Sequence, residues 1–111
     1  MTVQDLYDSK EFKVANEGEL TKEISNPFCC DLLSIAMSKI PANSTWVTIM
    51  GNMNTIAVAS LMEVSCIILA EGIELDDDSL KKAKEHEITI FYTEMPIFQA
   101  ALKVYQLINH G

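Results

Sequence analysis

Three apolar runs, at residues 46–50, 66–70 and 88–92, leave the chain little freedom in how to fold. Trp46-Val47-Thr48-Ile49-Met50 is aromatic and β-branched. Residues 66–70 form a continuous apolar run, as expected of a strand buried on both faces. Each run ends in a turn (Gly51-Asn52-Met53-Asn54, Glu71-Gly72-Ile73, Thr93-Glu94-Met95) and passes into a segment with helical spacing. Consecutive β-α-β units nearly dictate parallel strands joined by right-handed crossovers. The expected fold is therefore a single α/β domain over residues 1–111, with a central, mostly parallel sheet flanked by helices.

Helix ends support the same division. Asn54 can cap the helix that runs to about residue 63, a segment almost wholly apolar and rich in small residues. Asp76-Asp77-Asp78 places negative charge at the start of the next helix, with Lys81, Lys82 and Lys84 further along, an order that favours the macrodipole. Pro96 suits the first position of a closing helix. In the N-terminal third, Thr2 with Asp5 three residues on predicts a capped helix over 3–9. Residues 11–14 alternate as a strand, and Asn16-Glu17-Gly18 turns the chain. Phe28-Cys29-Cys30 reads as a short edge strand after Pro27. Asp31 then caps a helix whose apolar positions are Leu32, Leu33, Ala36 and Met37. The N-terminal strands belong at the edge, with antiparallel pairing left open.

Charge excludes several functions. The formal net charge is −8, and all 8 basic residues are lysines. Gripping a nucleic-acid backbone takes a basic patch, so DNA or RNA binding is not expected. Bidentate recognition of phosphate or carboxylate by arginine is unavailable to a chain that has none. No apolar run is long enough to span a membrane. Residues 1–5 lack the basic and apolar regions of a signal peptide, and the odd count of 3 cysteines fits no disulfide framework. The expectation is a cytoplasmic protein with Cys29, Cys30 and Cys66 as thiols.

With these residues in place, the stretch from Asp31 to about Tyr105 resembles the DRTGG domain family. More distantly it resembles the N-terminal domain of the HPr kinase/phosphorylase. The pieces that carry the resemblance are Asp31-Leu32-Leu33-Ser34, Trp46-Val47-Thr48, residues 54–61, Ile67-Ile68-Leu69-Ala70-Glu71-Gly72 and Lys82-Ala83-Lys84. Such domains occur alone, sometimes near genes for iron-only hydrogenases, or fused to CBS domains in regulated pyrophosphatases and to phosphotransacetylases. The resemblance implies a regulatory or dimerising part rather than a catalytic centre. No segment matches the P-loop pattern of a kinase. At the family's namesake motif this sequence departs: its counterpart is Leu20-Thr21-Lys22-Glu23-Ile24-Ser25-Asn26-Pro27, where the paired glycines are missing. Asn26 can still visit the left-handed region; Pro27 cannot.

Open parallel sheets bind ligands beyond the carboxyl ends of their strands. The candidate ligand-binding residues are therefore Asn52, Asn54, Gly72 and Thr93, with Asp31 and Ser34 as a further polar pair. Helix capping and turn geometry account for all of these without a ligand, and that reading stands beside the functional one. A nucleotide or small anion is the expected ligand class, and no cofactor or metal is expected. Adjacent Cys29 and Cys30 with Cys66 are a poor chelating set, and His86 and His110 sit where a helix end and the chain terminus explain them.

The last helix makes a further demand. Gln99, Lys103, Gln106 and His110 form one narrow polar stripe, and nearly all other positions are apolar. A helix resting on a sheet needs an apolar face only a little over about 100° wide. The surplus here, and that of the helix over 55–62, predicts burial by a second copy, a homodimer. The functional expectation is a non-catalytic regulatory, ligand-sensing or dimerisation module. The alternatives are a small phosphotransferase or hydrolase built on Asp31, Glu71 and Glu94, and a scaffold for a protein partner in iron-only hydrogenase systems.

Overall fold

The computed structural model describes residues 1–110, with side chains through residue 109. Five strands form one sheet in the order β1-β5-β4-β3-β2. In chain order the elements are α1 (Val3–Ser9), β1 (Lys13–Asn16), β2 (Pro27–Cys29), α2 (Leu33–Lys39), β3 (Thr45–Thr48), α3 (Met53–Leu61), β4 (Cys66–Leu69), α4 (Asp77–Glu85), β5 (Thr89–Tyr92) and α5 (Ile97–His110). Strands β2, β3, β4 and β5 are parallel; β1 pairs antiparallel with β5 at one edge. The expected α/β domain with a mostly parallel sheet is therefore the observed fold.

The sheet is covered on both faces. Side chains alternate across a strand, so Trp46, Ile67, Leu69 and Ile90 meet Ala36, Ile56, Ala59 and Ala83 of α2, α3 and α4 on one face. Val47, Cys66, Ile68 and Phe91 meet Val3, Leu6, Ala100 and Val104 of α1 and α5 on the other. Every residue of β3 and β4 is buried, which explains why their sequences run apolar or small without polar alternation. Buried Trp46 spends its indole N–H on the Cys30 carbonyl at 2.9 Å, so its burial leaves no orphan donor.

Local differences from the sequence expectation each have a physical cause. β1 lies about two residues later than the alternation suggested, because Asn16 still belongs to the ladder and its amide donates to the Ile88 carbonyl at 2.7 Å. The edge strand begins at Pro27 and stops at Cys29. Asp31 does not cap α2: the cap position is Leu32, without a side-chain bond. The Asp31 carboxylate instead accepts from the Thr48 hydroxyl at 2.7 Å and the Ile49 N–H at 2.9 Å, tying the end of β2 to the end of β3. α3 is capped by Asn52, whose Oδ1 accepts from Thr55 N–H at 3.1 Å, and Asn54 lies exposed in the first turn. Pro96 stands just before α5, its carbonyl accepting from Ala100 N–H at 3.0 Å. Met37 and Leu32, expected on the apolar face of α2, are exposed.

Thr2 and Asp5 do form a reciprocal capping box. Gly18 is constrained by close approach: its N–H donates to Thr89 Oγ1 at 2.9 Å, and a side chain there would collide with the Glu87 carbonyl.

Replacing Asp31 with alanine removes two charge-assisted bonds that hold β2 to β3. It should cost about 1.5–3 kcal/mol, read from the urea midpoint at unchanged slope. An unchanged midpoint would show that the edge strand does not depend on this clasp.

Candidate functional site

The helices that follow β4 and β5 leave the sheet in opposite directions, α4 to one face and α5 to the other. Diverging connections of this kind open a crevice at the carboxyl ends of parallel strands. A cleft of about 250 Å³ lies there, lined by Glu11, Lys13, Gly72, Glu74, Tyr92, Thr93 and Glu94. Two of the expected site residues, Gly72 and Thr93, are thus brought together.

Both serve the turn that shapes the cleft. Glu71 and Gly72 are consecutive left-handed residues, with φ of 59° and 74°. The left-handed backbone favours glycine at Gly72, while a β-carbon there would meet only the movable carboxylate end of Glu94, 2.7 Å from Oε2. Gly72 N–H donates to the Thr93 carbonyl and Glu71 N–H to the Met95 carbonyl, each at 3.0 Å, which laces the two loops together. Thr93 Oγ1 accepts from Met95 N–H at 3.1 Å. Tyr92 closes the floor, its hydroxyl accepting from Leu75 N–H at 2.9 Å.

The electrostatics of this cleft oppose an anion. Three carboxylates, Glu11, Glu74 and Glu94, face one ammonium, Lys13. Its volume also falls below the roughly 300–1,000 Å³ typical of small-molecule sites. Sequence reasoning missed Glu11 and Glu74 because they approach from outside the three turns, Glu11 just ahead of the antiparallel β1 and Glu74 just ahead of α4.

The remaining candidates lie elsewhere. Asn52 and Asn54 sit at the start of α3, Asp31 at the end of β2, and Ser34, exposed, in the first turn of α2. Of the carboxylates named for an enzyme, only Glu94 lines the cleft; Asp31 and Glu71 do not. The counterpart of the namesake motif is spent on internal bonds. Val3 and Gln4 N–H groups donate to the carbonyls of Lys22 and Leu20, each at 2.9 Å, and Thr45 N–H donates to Asn26 at 3.0 Å. Its backbone at these points pins α1 and β3 rather than facing an open cradle.

The cysteines are dispersed: Cys66 buried in β4, Cys30 half-buried, Cys29 exposed on the edge strand. Among the described residues, no group of three or more His, Cys, Asp or Glu is placed to hold a metal ion. Among the described residues, no helix is long and apolar enough to cross a membrane. Burial pushes the Cys66 thiol up to about 12, only partly offset by its hydrogen bond to Thr45. Cys29 is also raised, first by partial burial and then by the nearby Asp31 carboxylate.

A different surface stands out by its exposure. On α5, Phe98 (62% exposed), Leu102 (41%) and Tyr105 (52%) form a stripe at spacings of four and three. With Ile97, Ala101, Pro27 and Cys29 they line an open, almost purely apolar groove of about 470 Å³. Further along α5, Leu107 and Ile108 pack against the core, with Met1 and Asp5 across a cleft from them. The surplus apolar surface expected of the last helix is therefore present on one side of it. The surplus expected of α3 is largely absorbed within the chain, since α3 packs between α2 and α4 and exposes mainly its ends, Met53 and Leu61. His110, the last position of the expected polar stripe, lies outside the described side chains.

No family profile and no curated protein matches the chain. Among solved structures, it is similar to the CBS and DRTGG domains of the regulatory region of Clostridium perfringens pyrophosphatase, solved with the activator diadenosine tetraphosphate. The TM-score is 0.72 at 15% identity, covering 93% of this chain and 45% of that one. The chain thus spans less than half the length of that regulatory region. The shared feature is a DRTGG-like fold, found there in a regulatory region rather than a catalytic one.

Cys66 should resist thiol reagents in the folded protein while Cys29 is modified, with Cys66 labelled only on unfolding. The raised Cys66 value also implies a pH dependence. The unfolded thiol ionises near 9 and the folded thiol near 12, so the stabilisation is intact below pH 9. It declines above that by about 1.4 kcal/mol per pH unit until the folded group ionises. The difference in unfolding free energy between wild type and Cys66→Ala should follow that slope; a flat difference would contradict it.

Proposed function

We propose that the chain is a non-catalytic regulatory module that acts by pairing with a second copy of itself through the α5 face. The observation that carries this reading is the Phe98, Leu102 and Tyr105 stripe beside Pro27 and Cys29. An exposed apolar stripe that continues from a helix onto a sheet edge favours an association site. A chain of net charge −8 repels its own kind. The groove residues carry no charge at all, so this face is where two copies can approach without opposing it. The kinship in fold with a pyrophosphatase regulatory region supports the regulatory role.

A nucleotide or small anion at the strand ends is the second reading, favoured by the crevice at Gly72 and Thr93 and by the nucleotide activator in that regulatory region. The three glutamates of the cleft weigh against it. Thermal-shift measurements with adenine mono-, di- and triphosphates, magnesium present and absent, should therefore give no stabilisation. A concentration-dependent rise in Tm would restore a strand-end ligand.

Sedimentation equilibrium at micromolar protein should give a dimer. Phe98→Glu with Leu102→Glu should give a monomer with an unchanged far-ultraviolet circular dichroism spectrum. The single change Phe98→Ala should weaken association by about tenfold or more, as for a central aromatic anchor. A monomeric wild type, or a double variant that still pairs, would overturn the proposal.

A further inference from the structure

The apolar stripe alone is too small to hold two copies together. Stable interfaces bury roughly 800 Å² per partner. Phe98 and Tyr105 contribute at most about 150–250 Å² each and are already half covered. Further contact must come from what lies beside them, and what lies beside them is the open edge of the sheet.

The register of β2 on β3 fixes which backbone groups remain free. Thr45 N–H donates to Asn26 at 3.0 Å and Cys30 N–H donates to Val47 at 3.4 Å, with Pro27 opposite Thr45 and Cys29 opposite Val47. In a parallel ladder the bonding residues alternate, so Asn26, Phe28 and Cys30 face β3. Pro27 and Cys29 face outward. The unpaired edge groups of β2 are then the Pro27 carbonyl and both the N–H and the carbonyl of Cys29. Because proline brings no donor, a long foreign strand would find a single N–H here. A second β2 running antiparallel meets a different fit. About a two-fold axis through Cys29, each Cys29 N–H reaches the carbonyl of the other, the reciprocal pair of an antiparallel ladder.

We infer that two copies join edge to edge, β2 antiparallel to β2 about a two-fold axis at Cys29, making one continuous ten-stranded sheet from two sheets of five. This deepens the pairing proposed above and rests on it. The side chains agree with the backbone. Pro27 and Cys29 line the groove with Phe98, Leu102 and Tyr105, so the overhanging stripe of α5 lies on the same face as the outward residues of β2. An axis perpendicular to the sheet brings the two α5 stripes together above the joined edges. Phe28 points to the opposite face, into the cluster under α2 and α3. Asp31, two residues beyond Cys29, has its Oδ1 engaged by the Thr48 hydroxyl and the Ile49 N–H.

The test separates edge pairing from pairing by the helices alone. Cys29→Pro removes the outward N–H while sparing every bond of β2 to β3, since an edge strand tolerates proline where its N–H faces solvent. Cys29→Ala keeps the N–H. In sedimentation equilibrium, Cys29→Pro should weaken the dimer by about tenfold or more, and Cys29→Ala should not. In the unmodified protein, amide hydrogen exchange at Cys29 should slow as concentration rises through the dimer range, while Phe28 stays protected throughout. A dimer that survives Cys29→Pro, with the Cys29 amide exchanging freely, would overturn the edge geometry and leave the α5 pairing standing. A monomer at all concentrations would overturn both. Should Cys29→Pro fail to fold, the exchange of the wild-type Cys29 amide decides alone.

Discussion

The structure depends on burying the three parallel strands β3, β4 and β5 from both sides. Parallel ladders come with crossover helices, and the chain supplies three of them, α2, α3 and α4, all to one face. The other face still carries Val47, Cys66, Ile68 and Phe91, which must also leave water. Only α1 and α5 remain to cover it. α1 is a seven-residue helix, so α5 carries most of this task. It packs on β2 and β3 with Ala100 and Val104 inward. Placed there, it necessarily overhangs the β2 edge, and its Phe98, Leu102 and Tyr105 flank has no further element to meet. The exposed apolar flank of α5 is a consequence of the packing problem.

The same constraint shapes the strand ends. Because α4 and α5 part to opposite faces after β4 and β5, their loops diverge and must be held at a fixed separation. Gly72 in the left-handed region, laced to Thr93, does this. The cleft so formed is lined by glutamates, which suits a chain of high negative charge kept soluble and discourages phosphate entry. The residues that looked most like a binding loop are engaged in building turns, and the surface with unspent interaction capacity is apolar.

What could be read from the sequence divides along physical lines. The three parallel strands at the centre were legible because double-sided burial writes a continuous apolar run, and residues 66–70 can do little else. The capping box at Thr2 and Asp5 and the acidic start of α4 were legible because both partners lie within one turn. Asp31 was misread as a cap because its partners, Thr48 and Ile49, are distant in sequence, and a carboxylate gains more there than at a helix end it could cap. Asn52 and Asn54 are chemically equivalent caps; the helix starts at Met53, so it is Asn52 whose Oδ1 accepts from Thr55 N–H. The overhang of α5 was legible as an excess of apolar residues over one polar stripe. The outward alternation of β2 was not, since it depends on pairing register with β3. Nor was the acidity of the cleft, which Glu11 and Glu74 bring from neighbouring elements.

Small-angle X-ray scattering at micromolar concentration addresses the central claim most directly. Pairing at the β2 edge predicts a particle of twice the 12.4 kDa chain mass, with a pair-distance distribution elongated in the plane of the joined sheets. A particle of 12.4 kDa, with a radius of gyration near the 12.1 Å of a single chain, would contradict it.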